Sequence, residues 1–94
     1  TSVSGSSRVF PGAIICYSNE SKINDLGLEA KTIEKYGAVS KSVCQDLAIS
    51  SIKKFKTTYG LGVSGIAGPS GATINKPVGT VFIAIAKSKN KILL

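Results

Sequence analysis

The stretch Val78-Gly79-Thr80-Val81-Phe82-Ile83-Ala84-Ile85-Ala86 limits the possible folds more than any other part of this chain. Its β-branched and aromatic residues favour extended backbone. A strand that is apolar on both faces must be covered on both, so the stretch is expected to lie centrally in a covered sheet. Two further segments read as strands. Gly12-Ala13-Ile14-Ile15-Cys16-Tyr17 is a short apolar run bounded by Pro11 and by Ser18-Asn19. Gly60-Leu61-Gly62-Val63-Ser64-Gly65-Ile66 is rich enough in glycine to predict close approach by another backbone or by a ligand. Ile92-Leu93-Leu94 reads as the first half of a fourth strand, and Ala67 to Pro77 as a loop.

Helix signals fill the interval between the first two strands. Ser18 and Asn19 offer N-caps for a helix from Glu20 to about Leu26, with Gly27 as its stop. A second helix is expected around Glu29 to Tyr36, ended by Gly37. Ser40 is a good N-cap for the longest, Lys41 to about Thr58, whose Val43, Leu47, Ala48, Ile52, Phe55 and Tyr59 form one apolar stripe. Strand, helices, strand, strand is an α/β order, with a right-handed crossover if the flanking strands are parallel.

Composition narrows the chemistry. The chain has 94 residues, the size of one domain, and no apolar run nears the ~20 residues of a membrane span. It contains no histidine and two cysteines, Cys16 and Cys44, both in apolar stretches. The usual zinc sets and the Ser-His-Asp and Cys-His triads therefore cannot be assembled within it, and no metal is expected. Cysteines of this kind suit a small buried hydrophobe in a reducing, cytoplasmic setting. The net charge of +7 raises the question of nucleic acid, yet Arg8 is the one arginine among 12 cations. The bidentate contacts that arginine makes to bases are nearly unobtainable, so no specific nucleic-acid binding is expected.

Catalysis must then use Ser, Thr, Tyr, Lys, Asp or Glu. Tyr17-Ser18-Asn19-Glu20-Ser21-Lys22 passes from the C-terminal end of a strand into a helix, where open α/β sheets bind ligands. Lys22 falls in the first helical turn, where a cation opposes the helix macrodipole; it is either a general base or a surface lysine helped by Glu20. Ser6, Ser7 and Tyr17 supply hydroxyls that a neutral lysine could activate, although serine clusters also serve as loops and caps. Gly65-Ile66-Ala67-Gly68-Pro69-Ser70-Gly71 is either an anion-binding nest of backbone N–H groups or a tight turn; it matches neither a P-loop nor a dinucleotide fingerprint.

Taken together, Gly5-Ser6-Ser7, Tyr17-Ser18-Asn19-Glu20-Ser21-Lys22, Gly37-Ala38-Val39-Ser40, Val63-Ser64-Gly65-Ile66-Ala67-Gly68-Pro69 and Lys76-Pro77-Val78-Gly79-Thr80-Val81 resemble the C-terminal domain of the CinA (competence/damage-inducible) family. The resemblance implies a three-layer α/β/α sandwich with a mixed sheet, of which residues 1–94 form an incomplete middle portion. It implies an amidohydrolase that converts nicotinamide mononucleotide to nicotinic acid mononucleotide and ammonia, with no cofactor. Carried over by position, Ser7, Tyr17 and Lys22 are the catalytic set, and Ser6, Asn19, Gly65, Ile66, Ala67 and Gly68 bind the nucleotide. The family's upstream Glu-Ser-Cys-Thr-Gly-Gly segment, which contributes an active-site serine, has no counterpart here, so that serine and Ser7 both stand as nucleophile. A homodimer or larger homo-oligomer is expected, without membrane association. The rival expectation is a non-catalytic basic module that binds nucleotides or a protein, or a fragment without activity.

Overall fold

The computed structural model describes residues 1–69 and 76–88. The expected fourth strand at Ile92-Leu93-Leu94 and most of the loop between the second and third strands lie outside them.

Local chemistry sets the helix ends. Helix α1 spans Asn19–Leu26, capped by Ser18, whose hydroxyl accepts from the Ser21 N–H, and closed by Gly27 at φ +75°. Helix α2 spans Ala30–Tyr36 and stops at Gly37, again at positive φ. Helix α3 spans Lys41–Phe55 behind Ser40, whose hydroxyl accepts from the Val43 N–H. It ends three residues before the expected Thr58, because Lys56 adopts φ +56° and its N–H returns to the Ile52 carbonyl. Leu28, Ile33 and Val43 form the core of the helical layer, with Ile23, Leu26, Ala38 and Leu47 packed around them.

Strands β1 (Tyr59–Gly65) and β2 (Val81–Lys87) pair antiparallel, Tyr59 opposite Lys87 and Gly65 opposite Val81. Helix α3 covers one face of this ribbon, and glycine allows it. An added Cβ would stand 2.2 Å from the Ala48 carbonyl oxygen at Gly60 and 2.3 Å from that of Cys44 at Gly62. The close approach predicted from the glycines is therefore that of the α3 backbone. Cys44 seals the contact, its thiol donating to the Gly62 and Phe82 carbonyls at 3.1 and 3.2 Å.

Three expectations are corrected. Residues Val78 to Thr80 belong to a turn, with Gly79 at φ +93° and the Thr80 N–H donating to the Pro77 carbonyl, so β2 begins only at Val81. β2 is also not covered on both faces: Val81, Ile83 and Ile85 are exposed beside Leu61 and Val63, on the face opposite α3. Finally, Gly12 to Tyr17 is extended with alternating exposure but joins no ladder among the described residues. A cleft separates it from β1, and a segment without an adjacent edge cannot pair. The described part is thus a partial α/β fold: three helices and a two-stranded antiparallel sheet.

Candidate active site

The cleft, of about 790 Å³, lies between residues 9–17 on one side and β1 on the other, with Leu47, Ser51 and Phe55 of α3 among its lining residues. Its two long walls run in the same sense. Gly12 lies against Phe55, at the end of α3 from which the chain turns into β1. At the opposite end, Ile23 and Leu26 of α1 pack against the same Leu28, Ile33 and Val43 core as Leu47 and Ala38, and the Ser64 hydroxyl donates to the Ala38 carbonyl at 2.9 Å. The C-terminal ends of the extended segment and of β1 therefore meet at one end of the cleft, the position at which α/β folds bind ligands.

Four of the residues singled out in the sequence line this cleft: Tyr17, Asn19, Lys22 and Gly65. Lys22 is their buried member, only 7% exposed. Its position in the first turn of α1 follows from the Ser18 cap, and its ammonium donates to the Cys16 carbonyl at 3.4 Å. None of the chain's 5 carboxylates lines the cleft, so Lys22 is the one charged side chain among its described lining residues. A buried lysine without an acidic neighbour is uncommon, since an ammonium out of water needs a partner or a function. Tyr17 is 97% exposed at the rim, free to turn toward a bound molecule.

The other candidates sit apart from the cleft lining. Ser6 and Ser7 belong to a short 3-10 turn, Ser6–Arg8, where the Ser6 hydroxyl donates to the Val3 carbonyl and Ser7 is exposed. Ile66 has its N–H on the Thr80 carbonyl and its own carbonyl on the Gly79 N–H. That N–H is committed to closing the strand pair and is not turned outward as in a nest. Ala67 is exposed, and Gly68, at φ +80°, packs toward Val78.

Sequence reasoning missed Ser64 as the tie between β1 and the Gly37–Ser40 turn. The signal lay in the strand alternation, which points Ser64 to the same face as Gly60 and Gly62. It also missed Lys76, whose ammonium donates to the Tyr36 carbonyl at 2.7 Å and holds the same turn from its other side. That turn supplies Ala38 and Val39 to the cleft.

Among the described residues, no group of three His, Cys, Asp or Glu side chains is placed to hold a metal, and no helix is long and apolar enough to cross a membrane.

Comparison with known proteins bears on this arrangement. The family model described as the CinA C-terminal domain matches residues 1–93. A CinA-like protein of Prochlorococcus marinus strain MIT 9301 is 49% identical over 92 residues, which are 98% of this chain and 22% of that protein. A CinA-like protein of Rippkaea orientalis is 44% identical over the same shares of each. Among solved structures, the competence/damage inducible protein CihA of Agrobacterium tumefaciens superposes with a TM-score of 0.73 at 33% identity, over 80% of this chain and 45% of that one. The chain thus spans less than a quarter of its curated relatives and under half of this solved neighbour.

Proposed function

The chain belongs to the CinA C-terminal domain family, and on that footing we propose that it forms part of an amidohydrolase that converts nicotinamide mononucleotide to nicotinic acid mononucleotide and ammonia. The observation that carries this reading is Lys22: a buried lysine at a helix start, in the wall of an apolar cleft, with a carbonyl and no carboxylate beside it.

The reaction proceeds in two acyl-transfer steps. A serine hydroxyl attacks the carboxamide carbon while Lys22 accepts the hydroxyl proton. Backbone N–H groups stabilise the oxyanion, the C–N bond breaks, and the proton held by Lys22 leaves with ammonia. Water then attacks the acyl-serine, again with Lys22 as base, and releases the carboxylate product and the free hydroxyl. Tyr17 positions or relays the proton at the rim, and Asn19 together with Gly65 orients the nucleotide. Ser7 serves as nucleophile only if the turn Ser6–Arg8 moves toward the cleft, so a serine supplied by further chain competes for that role.

The test is a Lys22→Ala substitution in a version of the chain extended at both ends with the flanking segments of a relative. Loss of a general base lowers kcat by about 10²–10⁴-fold, with a smaller change in KM. Near-unaltered turnover in Lys22→Ala refutes the serine-lysine mechanism.

A further inference from the structure

Part of the cleft wall is a turn that belongs to no strand ladder. Residues Gly37–Ser40 join α2 to α3, and Ala38 and Val39 of that turn line the cleft. Three successive carbonyls at its start each accept from a side chain: Tyr36 from Lys76 at 2.7 Å, Gly37 from Ser40 at 2.8 Å and Ala38 from Ser64 at 2.9 Å. The Ser40 bond is internal to the turn. Among the described residues, side-chain bonds therefore tie the turn to the rest of the molecule at two points, Ser64 of β1 and Lys76.

The surroundings of Lys76 fit it to this place. Tyr36 is the last residue of α2, so its carbonyl has no partner within the helix, and a cation complements a helix C-terminus. At Gly37 an added Cβ would stand 3.3 Å from the Lys76 ammonium nitrogen, so the absent side chain leaves room for the approach. The backbone that carries Lys76 is itself tied down. The Pro77 carbonyl accepts from the N–H and the hydroxyl of Thr80, and the Gly79 N–H donates to the Ile66 carbonyl, one residue past Gly65 of the cleft. Lys76 thus links the end of β1 to the end of α2, across 40 residues of sequence. It is not among the residues that line the cleft, so it acts through the turn and not on a bound molecule.

We propose that Lys76 is a positioning residue of the candidate active site: by holding the Tyr36 carbonyl, its ammonium fixes the Gly37–Ser40 turn and so the place of Ala38 and Val39 in the cleft wall. The effect on turnover rests on the deamidase reading, whereas the hold on the turn does not. Lys22 keeps its part as base when Lys76 is removed. What is lost is the fit of the bound molecule against the wall, and the proton chemistry is unaltered.

Three substitutions in the version extended at both ends test the proposal. Lys76→Met keeps the apolar stem and removes the donor, Lys76→Arg restores a donor, and Lys31→Met removes one charge from an exposed position of α2. Lys76→Met should lower kcat/KM by on the order of tenfold, less than the ~10²-fold of a ~1 Å misplacement, with the pH profile of kcat unmoved. Lys76→Arg should recover most of that loss, and Lys31→Met should match the unsubstituted protein. Hydrogen exchange on the same proteins reads the turn without turnover. The Gly37 N–H, which donates to the Ile33 carbonyl at 2.8 Å, should exchange about threefold faster or more in Lys76→Met, while the Gly27 N–H on the Ile23 carbonyl keeps its rate. An unsubstituted protein that releases no ammonia ends the deamidase reading alone, and exchange then decides the proposal. The proposal is overturned if Gly37 exchanges as before, or if Gly27 quickens equally, the loosening then being general. In an active protein it is also overturned if Lys76→Met turns over normally, if arginine restores nothing, or if Lys31→Met loses as much. A shifted pH profile overturns it too, since Lys76 would then titrate in the reaction itself.

Discussion

Replacing Gly62 by alanine perturbs the fold at its tightest point, and opposing effects of known size decide the outcome. An added methyl would lie 2.3 Å from the Cys44 carbonyl oxygen, 3.0 Å from the Ala48 nitrogen and 3.2 Å from the Leu47 Cβ. Ordinary contact is ~3.5–4 Å, so α3 has to withdraw by roughly 1 Å. The first two atoms are backbone and cannot rotate away. Withdrawal also breaks the bond from the Cys44 thiol to the Gly62 carbonyl and loosens that to Phe82. Overpacking of this kind costs ~1–3 kcal/mol. Alanine returns ~0.4–1 kcal/mol by restricting the unfolded chain. The steric term wins, leaving a loss of ~1–2 kcal/mol, which in a domain of this size lowers Tm by about 5–15 °C. Thermal melts followed by circular dichroism measure it. Gly27→Ala is the comparison, since its added methyl meets nothing within 4 Å and only the positive φ is strained, at ~1 kcal/mol. An unchanged or raised Tm in Gly62→Ala would refute the assignment of the glycines to helix–strand contact.

Burial pushes the Cys44 thiol above its ordinary value, against the weaker opposing effect of nearby backbone hydrogen bonds. A raised thiol favours the folded state below the pKa of the unfolded thiol, ~8.5, and that stability is lost as pH rises through the folded value. Urea midpoints should therefore fall from about pH 8.5 upward, and a Cys44→Ala chain should lack this component of the fall. For the charge of +7, mixing with duplex DNA at ~150 mM salt should give no sequence-specific retardation; tight, sequence-dependent complexes would show that the lysines serve nucleic acid.

What could be read in the sequence is what depends on near neighbours. Ser18, Gly27, Gly37 and Ser40 mark their helix ends because capping involves only the adjoining turn. Lys56 escaped notice because nothing local distinguishes a lysine at positive φ, and the apolar stripe continues past it to Tyr59. Gly60 and Gly62 announced a close approach, but the identity of the neighbour required the fold of α3 over β1. Pairing and covering are harder still. Gly12 to Tyr17 and Val81 to Ala86 have strand composition, yet whether a strand has a neighbour or a lid is set by chain remote from it. The site divides in the same way. Lys22 was visible because its helix turn is local, whereas the tie from Ser64 to Ala38, 26 residues apart, was not.

Ammonia release from nicotinamide mononucleotide is the most direct measurement of the proposed activity. It is made on the 94-residue chain and, beside it, on the version extended at both ends with a relative's flanking segments. The extended version should release ammonia in proportion to nicotinic acid mononucleotide formed. The chain alone should release little or none, because a reaction that depends on a positioned constellation does not survive without the serine that the flanking segments supply. Equal rates from the two would contradict the need for those segments and make Ser7 the nucleophile. No ammonia from a folded extended version would contradict the deamidase assignment itself.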